Sequence, residues 1–289
     1  MDDLSRRAVA AALTVSRNLG LLCSDAPEII ADGSNVIVHL VPAPVVARVA
    51  TTTALVRKPA ERWLALDLDL AGYLAAKNFP VVPPSRELPA GPHQHHGLTL
   101  TFWEYIEHDR NYIATAPEVG PLLRDLHTGI RDYRGPLLRL SPFAELPQWL
   151  DEVASWNAVD PSDIVILRRG FAQISAEIDT LQLLEQPLHG DAHKRNVLKT
   201  SNGLVWTDFE DACVGPIEWD LACFVRTSLE PRDIALASYG VHLDLATLDP
   251  FFAARDLQGA AWGTILTTRF PDRKERAAEW MEVARSRYG

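Results

Sequence analysis

Cysteine is scarce in this 289-residue chain, with only Cys23, Cys213 and Cys223. They have no metal-ligand spacing and make no even disulfide set, so they read as buried, reduced thiols of a cytoplasmic protein. Long apolar runs are also missing. Ala8 to Val15, after Arg6-Arg7, is too short to span a bilayer and no cleavage site follows it. It reads as an amphipathic N-terminal helix. There is no internal repeat and no low-complexity tract. Positive charge is in deficit: 28 Lys and Arg stand against 38 Asp and Glu, a net charge of −10. That argues against nucleic acid or a membrane surface as partner and suits a cationic small molecule. What the chain does have is 47% apolar residues, enough to core one large domain or two lobes.

The most informative stretch is residues 189–222. It opens with His189, Asp191 and Asn196, and Asp208 follows. Between Asn196 and Asp208 lie two apolar segments, Val197-Leu198 and Leu204-Val205-Trp206, joined by Ser201-Asn202-Gly203. Asn-Gly between apolar runs predicts a hairpin. A hairpin brings its ends together, so two carboxylates and an amide oxygen are expected to converge in one cleft. Such a set suits Mg²⁺, with a spare carboxylate as base.

The wording HGDAHKRN, followed by DFEDA and GPIEWDLA, resembles the aminoglycoside phosphotransferase family of small-molecule kinases. The resemblance implies an α+β, two-lobe protein-kinase-like fold with a small β-rich N-lobe and a larger helical C-lobe. It implies ATP and Mg²⁺ as cofactors, and transfer of the γ-phosphoryl group to a hydroxyl. Asp191 would be the catalytic base, with Asn196 and Asp208 as metal ligands. His193 would either touch the γ-phosphate or serve the structure, while Lys194 and Arg195 face solvent. His189 and Asp220 take scaffold roles, Asp220 bonding the catalytic-loop backbone. Glu210 or Asp211 would add to the metal field or meet a cationic substrate.

The N-terminal part supplies the counterpart. Residues 3–19 predict a helix. Strands are expected at 36–41 and 45–50, a helix from Pro59 to about Lys77, another strand starting at Val81-Val82, and a strand from Leu98 to Trp103. The turn at 32–35, with Ser34 and Asn35, would cover the nucleotide phosphates, although it holds one glycine and is no Gly-rich loop. In the resemblance Arg48 takes the place of the phosphate-binding strand lysine; strand alternation alone leaves it equally able to face water. Asp67 shares a helix face with Trp63, Leu70 and Leu74, where a carboxylate needs a partner; Arg48 is available. Residues 83–97, with His93, His95 and His96, read as a solvated loop. Residues 1–103 would form the nucleotide-binding lobe, 104–109 a hinge whose backbone at Glu104 and Ile106 meets adenine, and 110–289 the catalytic and substrate-binding lobe.

Beyond the hinge, helices are expected at 119–130, 142–157, 161–185, from Gly215-Pro216 onward, and at 231–239, 247–268 and 272–287. His127 reads as a buried or capping histidine. The resemblance implies that the last helices wall the acceptor pocket, with Arg255, Asp256, Trp262 and Arg269 as its polar or aromatic positions; each taken alone reads most simply as a surface charge or a core aromatic. The acceptor is left open among aminoglycosides, other sugars, choline-like alcohols and homoserine-like molecules. A catalytically silent nucleotide-binding module is the alternative. It is disfavoured because Asp191, Asn196 and Asp208 are all retained. A protein kinase is disfavoured by the lack of an Ala-Pro-Glu segment and of a long activation loop.

Overall fold

The computed structural model describes residues 2–156, 159–241 and 243–289. In chain order the elements are α1 (Asp3–Asn18), β1 (Glu28–Asp32), β2 (Asn35–His39), β3 (Val45–Ala50), α2 (Thr53–Val56), α3 (Ala60–Ala76), β4 (His93–His95) and β5 (Leu98–Glu104). There follow α4 (Ala116–Ile130), β6 (Leu138–Arg139), α5 (Leu146–Ser155), α6 (Pro161–Thr180), β7 (Glu185–Leu188), β8 (Val197–Thr200), β9 (Gly203–Trp206) and β10 (Cys213–Pro216). The chain closes with α7 (Ile217–Thr227), α8 (Arg232–Tyr239), α9 (Asp249–Thr267) and α10 (Lys274–Tyr288). The result is a mixed α+β fold, with an antiparallel sheet in the N-terminal region and a helical C-terminal region. Among the described residues, no helix is long and apolar enough to cross a membrane.

Two compact units are formed. One comprises the chain up to Tyr112 together with Val197–Glu210. Its sheet runs β1-β2-β3-β5-β4, every pair antiparallel. Helix α1 starts cleanly because Asp2 accepts the N–H of Ser5 at 2.7 Å, and it carries Arg17 in its last turn, as the helix dipole favours. Ala8, Ala11, Ala12 and Val15 line one side of α1 and pack on Val36, Val38, Val45, Ala47, Val49, Leu100 and Phe102. Side chains alternate along a strand, so with Val45, Ala47 and Val49 taken by that core, Arg48 projects from the opposite face. All six residues of β3 are buried. Helix α3 packs on β5 and buries Trp63, Leu64, Asp67, Leu70 and Leu74. The β8–β9 hairpin pairs Val197 with Trp206 and Thr200 with Gly203. Gly203 sits at φ +123°, a conformation its turn needs and a side chain resists.

The other unit comprises Ile113–Asn196 and Asp211–Gly289. A small sheet in the order β6-β10-β7 lies in it. Helix α4 opens on a capping box, with Thr115 and Glu118 bonding each other's backbone. Helix α7 follows Pro216 and is buried from Glu218 to Val225. Trp219, Phe224, Phe143 and Phe251 are fully buried here, each contributing roughly 1.5–3 kcal/mol by removal from water.

The elements depart from the sequence expectation in several places. Val81-Val82 is no strand: Val81 makes a single bridge to Trp206, because the prolines at 80, 83 and 84 leave too few donors for a ladder. The expected loop 83–97 contains β4. The helix from 161 stops at Thr180, and Glu185–Leu188 becomes β7; its Pro187 sits where a helix would lose a hydrogen bond. Strand β1 was not foreseen, since it is short and half exposed. The helix expected at 142–157 begins as a 3₁₀ turn at Phe143–Glu145; its expected end at 157 lies outside the described residues.

Candidate active site

Strand β7 delivers the chain into His189-Gly190-Asp191. Gly190 adopts φ +85°, and a Cβ there would lie 1.7 Å from the carbonyl oxygen of Asp211, so only glycine fits. The two peptide groups before Asp191 are held from below. Asp220, wholly buried in the first turn of α7, accepts the N–H of His189 through Oδ2 and of Gly190 through Oδ1, both at 2.9 Å. His127 from α4 donates Nε2–H to the same Oδ2 at 3.0 Å, and its Nδ1 lies 2.8 Å from the Tyr239 hydroxyl. Burial would push the Asp220 carboxyl up, but the bond from His127 and the charges of His127, His189 and Arg255 outweigh it and hold it below the ordinary range. The Gly190 carbonyl is held too: Trp219 Nε1–H donates at 3.1 Å and Arg255 Nη2 at 2.5 Å.

Above this foundation the Asp191 side chain keeps 31% of its surface exposed. Its Oδ2 lies 3.2 Å from His193 Nε2 and 3.5 Å from Asn196 Nδ2. Its Oδ1 accepts from Cys223 Sγ at 3.3 Å and lies 3.6 Å from Arg255 Nη1. Desolvation opposes ionisation, yet His193, Arg255 and His189 together hold the Asp191 carboxyl well below the usual range. Burial, with the charges of Asp191 and Asp220, pushes the Cys223 thiol well up against the effect of Arg255. It therefore stays protonated and donates. Asn196 donates Nδ2–H to the Asp191 carbonyl at 3.0 Å, which leaves its amide oxygen as an acceptor.

A second charged cluster lies in the sheet unit. Arg48, 5% exposed, pairs with Asp67 at 3.2 Å, Asp208 at 2.6 Å and Glu210 at 2.8 Å. Desolvation disfavours its charge, but Asp208, Glu210 and Asp67 hold the guanidinium well above its ordinary pKa. Asp67 also accepts the N–H of Phe209 at 2.8 Å. Burial pushes its carboxyl up to about 7, with Asp208 and Glu210 adding to the rise against Arg48. Asp208 itself adopts φ +71°, a region that Asp tolerates better than most residues. Asn35 donates Nδ2–H to Glu210 at 3.1 Å, while its Oδ1 is buried with no hydrogen-bond partner among the described residues.

The other expected residues are distributed as follows. The carbonyl of Ser34 accepts from the N–H of Thr53 and the hydroxyls of Thr51 and Thr53. Glu104 ends β5 and pairs with Arg86 at 3.2 Å. The Ile106 carbonyl meets His108 Nδ1 at 2.8 Å, and Tyr105 stacks on His39 with ring centroids 3.7 Å apart. Arg195 is exposed, but Lys194 is half-buried, and burial lowers its pKa. All three cysteines are free thiols; Cys213 and Cys223 are buried, while Cys23 is only half-buried.

Three further sequence readings change. Arg48 does not face water. Glu210 faces Arg48 and Asn35 and is buried, so it has no open side for a cationic substrate. Arg255 is no surface charge but a buried partner of the Gly190-Asp191 segment. Its neighbours fit plainer roles: Asp256 pairs with Arg226 at 2.7 Å, Trp262 packs on Trp149, and Arg269 lies over Phe270. The contacts of Cys223 and Arg255 with Asp191 were not foreseen. The only local signal was that Arg255 follows four apolar residues on α9.

Residues 28–257 match the family model described as "Phosphotransferase enzyme family", APH. No curated protein sequence matches the chain. Among solved structures, the amicoumacin kinase hAmiN in complex with AMP-PNP, Ca²⁺ and Ami is similar with a TM-score of 0.72 and 12% identity, over 99% of this chain and 96% of that one. The microcompartment-associated aminopropanol kinase follows at a TM-score of 0.66 and 16% identity, over 95% of this chain and 94% of its own. The GDP and kanamycin complex of APH(2")-IIia is similar at 0.65 and 14%, over 97% and 100%. At these identities the likeness is one of fold.

Proposed function

The chain belongs to the phosphotransferase enzyme family, and from that premise we propose that it is a kinase that moves the γ-phosphoryl group of ATP to a hydroxyl of a small molecule, an aminoglycoside-like compound, a sugar or an amino-alcohol. The observation that carries this reading is Asp191: a half-exposed carboxylate on a segment whose peptide groups are fixed by buried partners. The net charge of −10 suits a cationic acceptor, and one fold neighbour is by its name an aminopropanol kinase.

In this reading Asp191 takes the proton of the acceptor hydroxyl as the new oxygen–phosphorus bond forms and the bond from the γ-phosphorus to the bridging oxygen breaks. Help of this kind is worth about 10²–10⁴-fold. The remaining rate enhancement comes from positioning and charge neutralisation. Asn196 and Asp208 would hold Mg²⁺. An amide oxygen and a carboxylate match its preference for oxygen ligands, and three carboxylates around Arg48 leave negative charge for a cation to offset. When bound, Mg²⁺ neutralises phosphate charge. Arg48 would hold the phosphates, braced by Asp67. Ser34 and Asn35 would cover them, the backbone at Glu104 and Ile106 would receive the adenine edge, and His193 would approach the γ-phosphate. We place residues 1–103, 104–109 and 110–289 as nucleotide lobe, hinge and acceptor lobe, and the enzyme in the cytoplasm.

The test is a coupled ADP-release screen across aminoglycosides, sugars and amino-alcohols, with thermal shift by Mg-ATP alongside. Turnover of at least one acceptor is expected. A flat screen with a retained Mg-ATP shift would replace this reading with a silent nucleotide-binding module.

A further inference from the structure

Helix α9 buries Phe251, Phe252, Ala253, Ala254 and Leu257, and in their midst buries Arg255 at 4% exposure. A guanidinium in such a place is expensive unless its donors are used. Nη2 donates to the Gly190 carbonyl at 2.5 Å. Nη1 lies 3.3 Å from Gln258 Oε1 and 3.6 Å from Asp191 Oδ1. The face of the group lies on the Trp219 ring, with Cζ 3.9 Å from its centroid, and Trp219 donates to the same Gly190 carbonyl. Nε has no partner among the described residues.

That carbonyl belongs to the peptide group that carries the Asp191 N–H. Fixing it sets the direction of the Asp191 side chain, and the second guanidinium nitrogen then faces Oδ1. The other oxygen, Oδ2, is turned toward His193 and Asn196. We propose that Arg255 is a positioning residue for phosphoryl transfer, clamping the Gly190-Asp191 peptide and the rotation of the Asp191 carboxylate from helix α9. The proposal rests on the reading of Asp191 as the catalytic base. The planar fork is what the geometry uses: carbonyl on one nitrogen, carboxylate on the other, indole beneath. A lysine ammonium reproduces the charge but not that arrangement.

The experiment compares wild type, Arg255→Met and Arg255→Lys in steady-state kinetics on an acceptor found by the screen, and in hydrogen exchange of the 188–196 segment. Methionine keeps an apolar stem over Trp219. A clamp predicts that Arg255→Met lowers kcat by about 10–100-fold, the cost of slight misplacement, with both KM values within about threefold. It also predicts faster exchange in 188–196, and an Arg255→Lys enzyme that stays at least about tenfold slow. A kcat within threefold of wild type, a loss confined to the acceptor KM, full recovery by lysine, or unchanged exchange would each overturn it. Should Arg255→Met not fold, Arg255→Lys carries the same readouts. Should wild type turn over no acceptor, the functional reading fails by itself, and exchange in 188–196 still decides the clamp.

Discussion

Arg48 and Asp67 form a buried ion pair, 3.2 Å apart, that ties the middle of strand β3 to helix α3. Neither side chain has more than 6% of its surface exposed, so neither can fall back on water. Replacing Arg48 by Met would leave Asp67, Asp208 and Glu210 without their common counter-charge. The expected loss is about 3–5 kcal/mol, the usual cost of breaking a buried pair from one side, read from urea unfolding. The double variant Arg48→Met with Asp67→Asn should recover part of it. Simple additivity of the two single losses would show that the pair is not coupled.

The same environment gives a pH signature. Burial and the neighbouring carboxylates raise the Asp67 carboxyl to about 7, against about 4 for an unfolded chain. The folded state therefore binds this proton more tightly than the unfolded one. The stability it lends is full below about pH 4 and is lost as the pH rises through about 7. In metal-free buffer, unfolding free energy of wild type should fall across that window relative to Asp67→Asn. Parallel curves would contradict it.

Gly190 offers a steric test. Any Cβ there meets the Asp211 carbonyl at 1.7 Å, and the left-handed φ of +85° adds strain. Gly190→Ala should destabilise the chain by at least about 2 kcal/mol and lower kcat by about 10²-fold or more through displacement of Asp191. Wild-type kinetics for this variant would mean that the Asp191 segment tolerates a different path.

Much of this was legible in the sequence, and the reasons are local. The β8–β9 hairpin follows from Asn202-Gly203 between apolar runs. The α1 helix follows from its apolar spacing. Asp67 betrayed its partner because a carboxylate on the face of Trp63, Leu70 and Leu74 needs one. What was hidden depends on tertiary placement. Strand alternation alone could not say whether Arg48 met water, since β3 is buried on both faces. The bonds of Glu210 to Arg48 and Asn35 were hidden because nothing local joins these residues. Arg255 lies far along the chain from Gly190, with no motif to join them. Strand β7 carries a proline and only four residues, too few to announce a strand beside a long helix.

Asp191 is the centre of the account, and its replacement is the most direct measurement. With an acceptor in hand, Asp191→Ala should lower kcat by about 10²–10⁴-fold while Mg-ATP binding by calorimetry stays within about threefold of wild type. An Asp191→Ala enzyme with undiminished kcat on a true acceptor would contradict the assignment of the base and the mechanism built on it.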